Sequence, residues 1–278
     1  AARLESAGVA FGHGTANAFD EAAWLVLWRL GLPLDALDRE ADRELGDDQR
    51  RAVEALVDER IVSRRPAAYL TGEAWLQGVP FDADARSIVP RSLLAEPLVE
   101  GTIDALLGGE PRRVLDLCTG NGSLAVLAAL AWPEAQVLGT DLSTDALALA
   151  RRNVQRHGLE ARVMLREGDE LGALHAGERF DLVLCNPPYV NTRSMSTLPP
   201  EYRAEPALAL AGGADGMDFV RPLLAGLGAF LEADGLLLLE IGHERAHFEA
   251  AFPSLEPLWL STSAGDDQVL MLPRSALP

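Results

Sequence analysis

The stretch between residues 113 and 185 leaves the chain few folds to choose from. Short apolar runs at 113–118, 136–141, 161–166 and 180–185 alternate with helical patterns at 122–132 and 143–157. A strand that is apolar along nearly its whole length needs cover on both faces, and strands joined through helices run parallel. Runs at 235–241, 256–262 and 267–272, with helical patterns at 217–232 and 243–251, bring the series to seven strands. Only Ala264-Gly265-Asp266 separates the last two, too short for a crossover, so that pair is expected to be antiparallel. The expected class is α/β, a Rossmann-like, seven-stranded, mostly parallel sheet.

The residues before this sheet have a different pattern. Residues 1–19 are rich in Gly and Ala, with weak periodicity, and read as a loose leader or a truncated helix. From 20 to 65 the pattern is helical. Trp24, Leu25, Leu27, Trp28 and Leu30 form one apolar stripe, which Gly31-Leu32-Pro33 ends; Val53, Leu56, Val57 and Ile61 form a second. Tryptophans at helical spacing are expected in a core. Residues 68–89 carry aromatic residues and Gly-Pro punctuation that suit a hairpin. Ile88-Val89-Pro90-Arg91-Ser92 then opens a helix over 93–107. The expected organisation is a small helical domain at 1–67, a β-hairpin linker at 68–91, and the sheet domain at 92–278.

Composition narrows the setting. The chain has 278 residues, 48% of them apolar, enough for one large and one small core. It lacks the roughly 18 unbroken apolar residues of a membrane span, and Ala1-Ala2-Arg3-Leu4-Glu5 lacks a signal-peptide pattern. The two cysteines, Cys118 and Cys185, sit at strand ends and read as small buried groups in a reducing compartment, so a cytoplasmic protein is expected. The net charge is −18, and all 24 basic residues are arginine. Such a surface repels a phosphate backbone, so neither direct nucleic-acid binding nor a membrane partner is expected. It suits a basic protein partner, or serves only to keep the chain soluble.

Two motifs carry chemistry. The first is Asp116-Leu117-Cys118-Thr119-Gly120-Asn121-Gly122, a strand running into a glycine loop. Gly120 and Gly122 allow close backbone approach to a ligand, and the following helix offers unpaired N–H groups. Asp141-Leu142 ends the second strand, where a carboxylate accepts from ribose hydroxyls. Asp169 ends the third strand and can accept from an adenine amino group. Acidic residues at successive strand ends suit an adenosine with a cationic tail better than a pyrophosphate. The loop alone is shared with nicotinamide oxidoreductases. The second motif is Asn186-Pro187-Pro188-Tyr189, at the end of the fourth strand. The Asn186 side-chain oxygen and the Pro187 carbonyl can each accept one N–H of a planar nitrogen. The prolines stiffen the turn, and Tyr189 can pack on an amide.

Together these motifs resemble the S-adenosylmethionine-dependent methyltransferases of amino and amide nitrogen. Nucleic-acid adenine methyltransferases and protein glutamine methyltransferases of the HemK/PrmC type share the tetrapeptide. The helical amino-terminal region, Ala68-Tyr69-Leu70-Thr71-Gly72 and Val89-Pro90-Arg91-Ser92 resemble the protein glutamine branch over residues 20–275. Within it, Cys118 and the stretch from Met195 to Pro206 look like the sister PrmB family, which methylates a glutamine of the third protein of the large ribosomal subunit. The resemblance implies a class I methyltransferase fold and S-adenosyl-L-methionine as cofactor. It implies a protein substrate with an exposed glutamine, either a ribosomal protein or, alternatively, a release factor. Asn186, Pro187, Pro188 and Tyr189 are then the catalytic candidates. Asp116, Cys118, Thr119, Gly120, Asn121, Gly122, Asp141, Leu142, Asp169 and Asn186 are the cofactor-binding candidates. The stretch from Glu201 to Pro206 and the Trp75 hairpin are candidates for the substrate channel. A rival signal is His243-Glu244-Arg245-Ala246-His247, which matches the zinc-peptidase pattern. It starts directly after a strand and has no third ligand nearby, so a helix start explains it and no metal is expected.

Overall fold

The computed structural model describes residues 1–278. Nine strands form two sheets. The hairpin is β1 (Glu73–Leu76) and β2 (Val79–Asp82); the main sheet is β3 (Arg113–Leu117), β4 (Gln136–Asp141), β5 (Val163–Glu167), β6 (Phe180–Cys185), β7 (Leu231–Glu240), β8 (Leu258–Thr262) and β9 (Gly265–Pro273). Its order is β5-β4-β3-β6-β7-β9-β8. All pairs from β5 to β7 are parallel, while β9 runs antiparallel to β7 and β8. This is the seven-stranded, mostly parallel sheet expected from the alternation, in the class I methyltransferase form that the resemblance implied.

The sheet is buried on both sides, which is why its strands are so apolar. Val114, Val137, Leu182 and Leu184 meet the Ser123–Ala131 helix on one face. Leu115, Leu117, Val183 and Leu239 meet the Val220–Gly226 helix on the other. Ser143 caps the Thr144–Arg156 helix, its side chain accepting from Ala146 N at 3.1 Å.

Three segments differ from the sequence reading. The helix expected over 93–107 is two short helices, Ala95–Val99 and Thr102–Leu107, because Gly101 turns left-handed (φ +75°) between them. The helix expected over 217–232 ends early, since Leu231 already pairs with Phe180 as the start of β7. Of the two readings of residues 1–19, the short helix holds and the loose leader does not. The helix is Ala2–Ser6, and Leu4, Val9 and His13 are buried. Arg60 and Arg64 fasten this segment by donating to the carbonyls of Ala10, Gly8 and Ala7.

The helices Ala18–Arg29 and Asp47–Ser63 pack through Trp24, Leu25 and Leu56. The β1–β2 hairpin turns at Gln77 and Gly78, both at positive φ, the two-residue turn that matches strand twist. It docks on the sheet domain. Asn153 accepts from Asp82 N at 2.7 Å and donates to Asp82 O at 3.1 Å, and Phe81 is fully buried in the sheet core.

Candidate active site

The carboxyl ends of β3, β4, β5 and β6 open into a cavity of about 170 Å³. A parallel sheet of this kind binds ligands at that end, beyond its strand termini. Cys118, Gly120, Asp141, Leu142, Asp169 and Asn186 line it, with Ser87, Ile88, Pro206, Leu208 and Phe219 closing the sides. A more open depression of about 550 Å³ lies towards the opposite end, by Arg113, Gln136 and Arg162, and contains none of the candidate residues.

Asp141 is the best-organised group in the cavity. Its Oδ2 accepts from Gly120 N at 2.8 Å, and its Oδ1 accepts from Ser143 N at 2.8 Å. Burial pushes its pKa up, and these backbone donors oppose that. A carboxylate oxygen has two lone pairs, so each still has one to offer a hydroxyl. Asp169 precedes the turn Glu170–Ala173, and its side chain makes no capping bond there. Leu142 is about half exposed (49%), an apolar surface beside the two carboxylates. The cation on the wall, Arg86, is taken by Asp84 through bonds of 2.8 and 2.7 Å. Acceptors and apolar surface without a free cation fit a hydroxylated, uncharged or cationic ligand, and disfavour a phosphate. The residues present therefore fit S-adenosylmethionine.

The other cofactor-loop candidates lie behind the cavity. Asp116 is fully buried; its Oδ2 accepts from Thr119 Oγ1 at 2.5 Å and Ala125 N at 2.9 Å. Burial, only partly offset by those donors, pushes its pKa up to about 7. It braces the loop from below. Thr119 lies in a smaller hollow, its hydroxyl spent on Asp116. Asn121 is buried, accepting from Ser123 N and contacting the hairpin at Asp82 O. Gly122 faces the Thr144–Arg156 helix. A Cβ there would lie 3.1 Å from Ala150 Cβ, so helix packing demands the glycine. Cys118 does line the cavity; a hydrogen bond with Cys185 and burial raise its pKa, keeping it a neutral thiol.

Asn186 stands where this cavity meets a second hollow of about 20 Å³, lined also by Pro187, Tyr189, Arg91 and Glu240. Pro187 is buried at the turn. Val190 N donates to Leu210 O at 2.8 Å, and Gly212 N donates to Val190 O at 2.9 Å, holding the exit of the turn. Tyr189 is half-buried and lines the same hollow. Its ring abuts Gly242, where a Cβ would come within 2.6 Å, and its hydroxyl donates to Glu240 Oε1 at 3.2 Å.

The sequence reading missed the polar frame around this turn. Glu205, with no exposed side-chain surface, accepts a fork from Arg91 at 2.5 and 2.7 Å and a third bond from Val89 N at 2.9 Å. Glu201 is equally buried, against Arg60 at 3.4 Å and Arg64 at 3.1 Å. In the stretch from Glu201 to Pro206, Pro206 borders the cavity, while Glu205 ties it to Arg91 and Glu201 ties it to the helical region. Trp75 is 41% exposed and donates to Glu73 at 3.1 Å, away from the cavity lining. An isolated acid after four leucines marks Glu240 in the sequence; no comparable signal marks Arg91 with Glu205. The helix of the zinc-like motif starts at Arg245, leaving His243 outside it. Glu244 accepts from Asn191 at 2.6 Å and pairs with His247 at 2.5 Å, so it braces the loop after the turn. No three ligating side chains converge anywhere.

Comparison with known proteins identifies relatives of this chain. Residues 2–72 match the family described as PrmC N-terminal domain, and residues 97–198 match Methyltransferase small domain. The chain is 56% identical to the ribosomal protein uL3 glutamine methyltransferase of Bordetella pertussis, over 99% of this chain and 92% of the relative. It is 50% identical to that of Burkholderia pseudomallei over the same shares, and 45% identical to that of Neisseria meningitidis serogroup B over 99% and 90%. The chain belongs to the protein glutamine methyltransferase family. It is a methyltransferase that uses S-adenosylmethionine. Solved structures show the same fold at low identity. The hMettl16 catalytic domain gives a TM-score of 0.55 at 14% identity, over 82% of this chain and 81% of that one. A methyltransferase from Pyrococcus furiosus gives 0.53 at 18%, over 81% and 98%. No helix here is long and apolar enough to cross a membrane.

Proposed function

We propose that this chain methylates the side-chain amide nitrogen of a glutamine in ribosomal protein uL3. The observation that carries the chemistry is Asn186 standing at the junction of the carboxylate-lined cavity and the hollow under the Asn-Pro-Pro-Tyr turn. The choice of uL3 follows the relatives of that name, 42–56% identical over nearly the whole chain.

A glutamine nitrogen is a weak nucleophile because its lone pair is delocalised into the carbonyl. Asn186 Oδ1 and the Pro187 carbonyl oxygen accept one N–H each. That aims the lone pair at the cavity and favours the partly pyramidal nitrogen of the transition state. Pro187 and Pro188 hold both acceptors in place before the substrate arrives. S-adenosylmethionine, when bound, supplies an electrophilic methyl group on sulfur. Asp141 and Asp169 take its ribose hydroxyls and adenine amino group, Leu142 packs on the ring, and Cys118 and Gly120 border the tail. The amide N–H becomes acidic as the new bond forms and its proton passes to water, so a strong base is not required.

Residues 1–67 serve in substrate recognition, with 68–91 as the connector and 92–278 as the catalytic domain. A net charge of −18 complements a basic ribosomal protein and disfavours nucleic acid. We place the reaction in the cytoplasm, away from membranes. The test is incubation with methyl-labelled cofactor and purified uL3 or release factor, then mass spectrometry of the labelled peptide. Label on a uL3 glutamine is expected; label on the release factor alone, or on another residue type, overturns the assignment.

A further inference from the structure

We infer that Glu240 is a positioning residue for methyl transfer: its carboxylate fixes Tyr189 of the Asn-Pro-Pro-Tyr turn against Ser92 and Leu93, at the start of the sheet domain. Glu240 ends β7, beside the end of β6 from which the turn departs, where Leu239 pairs with Cys185. It is 4% exposed. Its Oε1 accepts from Tyr189 Oη at 3.2 Å, while Oε2 accepts from Ser92 Oγ at 2.6 Å and Leu93 N at 2.9 Å. All three partners can donate, and the ionised carboxylate accepts from them on both oxygens.

This anion is costly where it stands. Leu236, Leu237, Leu238 and Leu239 precede it, all buried, and an apolar residue would continue the strand more cheaply. Burial raises its pKa, while Ser92, Leu93 and Tyr189 stabilise the charge. Its carboxylate borders the hollow that Asn186, Pro187 and Tyr189 also line. Gly242 lies against the Tyr189 ring, so the ring is held from its face and from its hydroxyl. Between Tyr189 and Asn186 stand two prolines, which transmit that placement to the acceptors. Displacements of about 1 Å at a reacting group cost on the order of 100-fold in rate.

The experiment compares Glu240→Gln, Tyr189→Phe and the double variant with the wild-type enzyme. It measures turnover, affinity for S-adenosylhomocysteine by calorimetry, and melting temperature. Glutamine keeps the shape but removes the charge, and its NH₂ can face Tyr189 only if that hydroxyl turns round to accept. Turnover of Glu240→Gln is expected to fall about 10- to 100-fold, the equivalent of one lost charge-assisted hydrogen bond, with ligand affinity within about threefold. Because both residues act through one contact, the double variant should be no slower than the slower single. Wild-type turnover in Glu240→Gln, a parallel loss of ligand affinity, or losses that multiply in the double variant each overturn the inference. Should Glu240→Gln fail to fold, Tyr189→Phe decides alone: it keeps the bonds to Ser92 and Leu93, and full activity in it is equally fatal. The inference rests on the proposed reaction, so the substrate is whichever protein the wild-type enzyme labels. A wrong substrate then appears as unlabelled uL3 with wild-type enzyme, and a wrong role for Glu240 as variants that turn over normally.

Discussion

Replacing Glu205 by glutamine tests the frame that anchors the cavity wall. Glu205 has no exposed side-chain surface and meets Arg91 through two bonds, at 2.5 and 2.7 Å. Burial works against its charge, but His13 and Arg91 outweigh it and hold the carboxyl at about 2, against an ordinary 4.5. His13 Nε2 is 3.5 Å away, long for a hydrogen bond, so the Arg91 fork is the stronger partner. A fall from 4.5 to about 2 corresponds to about 3 kcal/mol. Removing one member of a buried pair costs about 3–5 kcal/mol, in agreement. At about 2–4 °C per kcal/mol, Glu205→Gln should melt about 6–12 °C below wild type at pH 7. A depressed carboxyl contributes stability above its unfolded value and loses it as pH falls from 4.5 towards 2. The gap between the two proteins should therefore narrow by about 1 kcal/mol at pH 3.5. Circular dichroism melts of both at the two pH values read this directly. Equal melting temperatures at pH 7, or a gap that ignores acidification, refute the reasoning.

Asn186→Ala should lower turnover about 100- to 1000-fold, as loss of an oriented acceptor does, while S-adenosylhomocysteine affinity stays within about threefold; equal losses in both would contradict the assigned role. Asp141→Asn should weaken S-adenosylhomocysteine about 10- to 100-fold in calorimetry, because an NH₂ then meets the Gly120 or Ser143 N–H and one ribose acceptor is gone. Unchanged affinity would move the ribose elsewhere. Gly122→Ala should cost about 1–3 kcal/mol in denaturant unfolding, since φ is +81° and Ala150 Cα lies 3.3 Å from the new Cβ on a rigid helix. A neutral result would mean that the loop and helix are less tightly packed.

The sheet could be read from the residues because strand burial and strand composition are the same constraint. Leu182 to Cys185 must be apolar to sit between two helical layers, and Ser143 caps its helix through contacts three residues away. The Asn-Pro-Pro-Tyr turn and Asp141 were legible for a related reason: each lies at a strand terminus, and parallel strands bring their carboxyl ends to one edge. Which loop residues face that edge was not legible. Asp116, Asn121 and Gly122 are as polar or as small as their neighbours Gly120 and Asp141, and only the packed helix and hairpin decide that they look inward. The Arg91–Glu205 fork joins positions 114 residues apart, and the Glu240–Ser92 bond joins positions 148 apart. Local sequence fixes periodicity, caps and turns within a few residues, because those forces are short-ranged. Pairing between distant charges depends on where the whole backbone brings them, and a buried glutamate is written with the same letter as a solvated one.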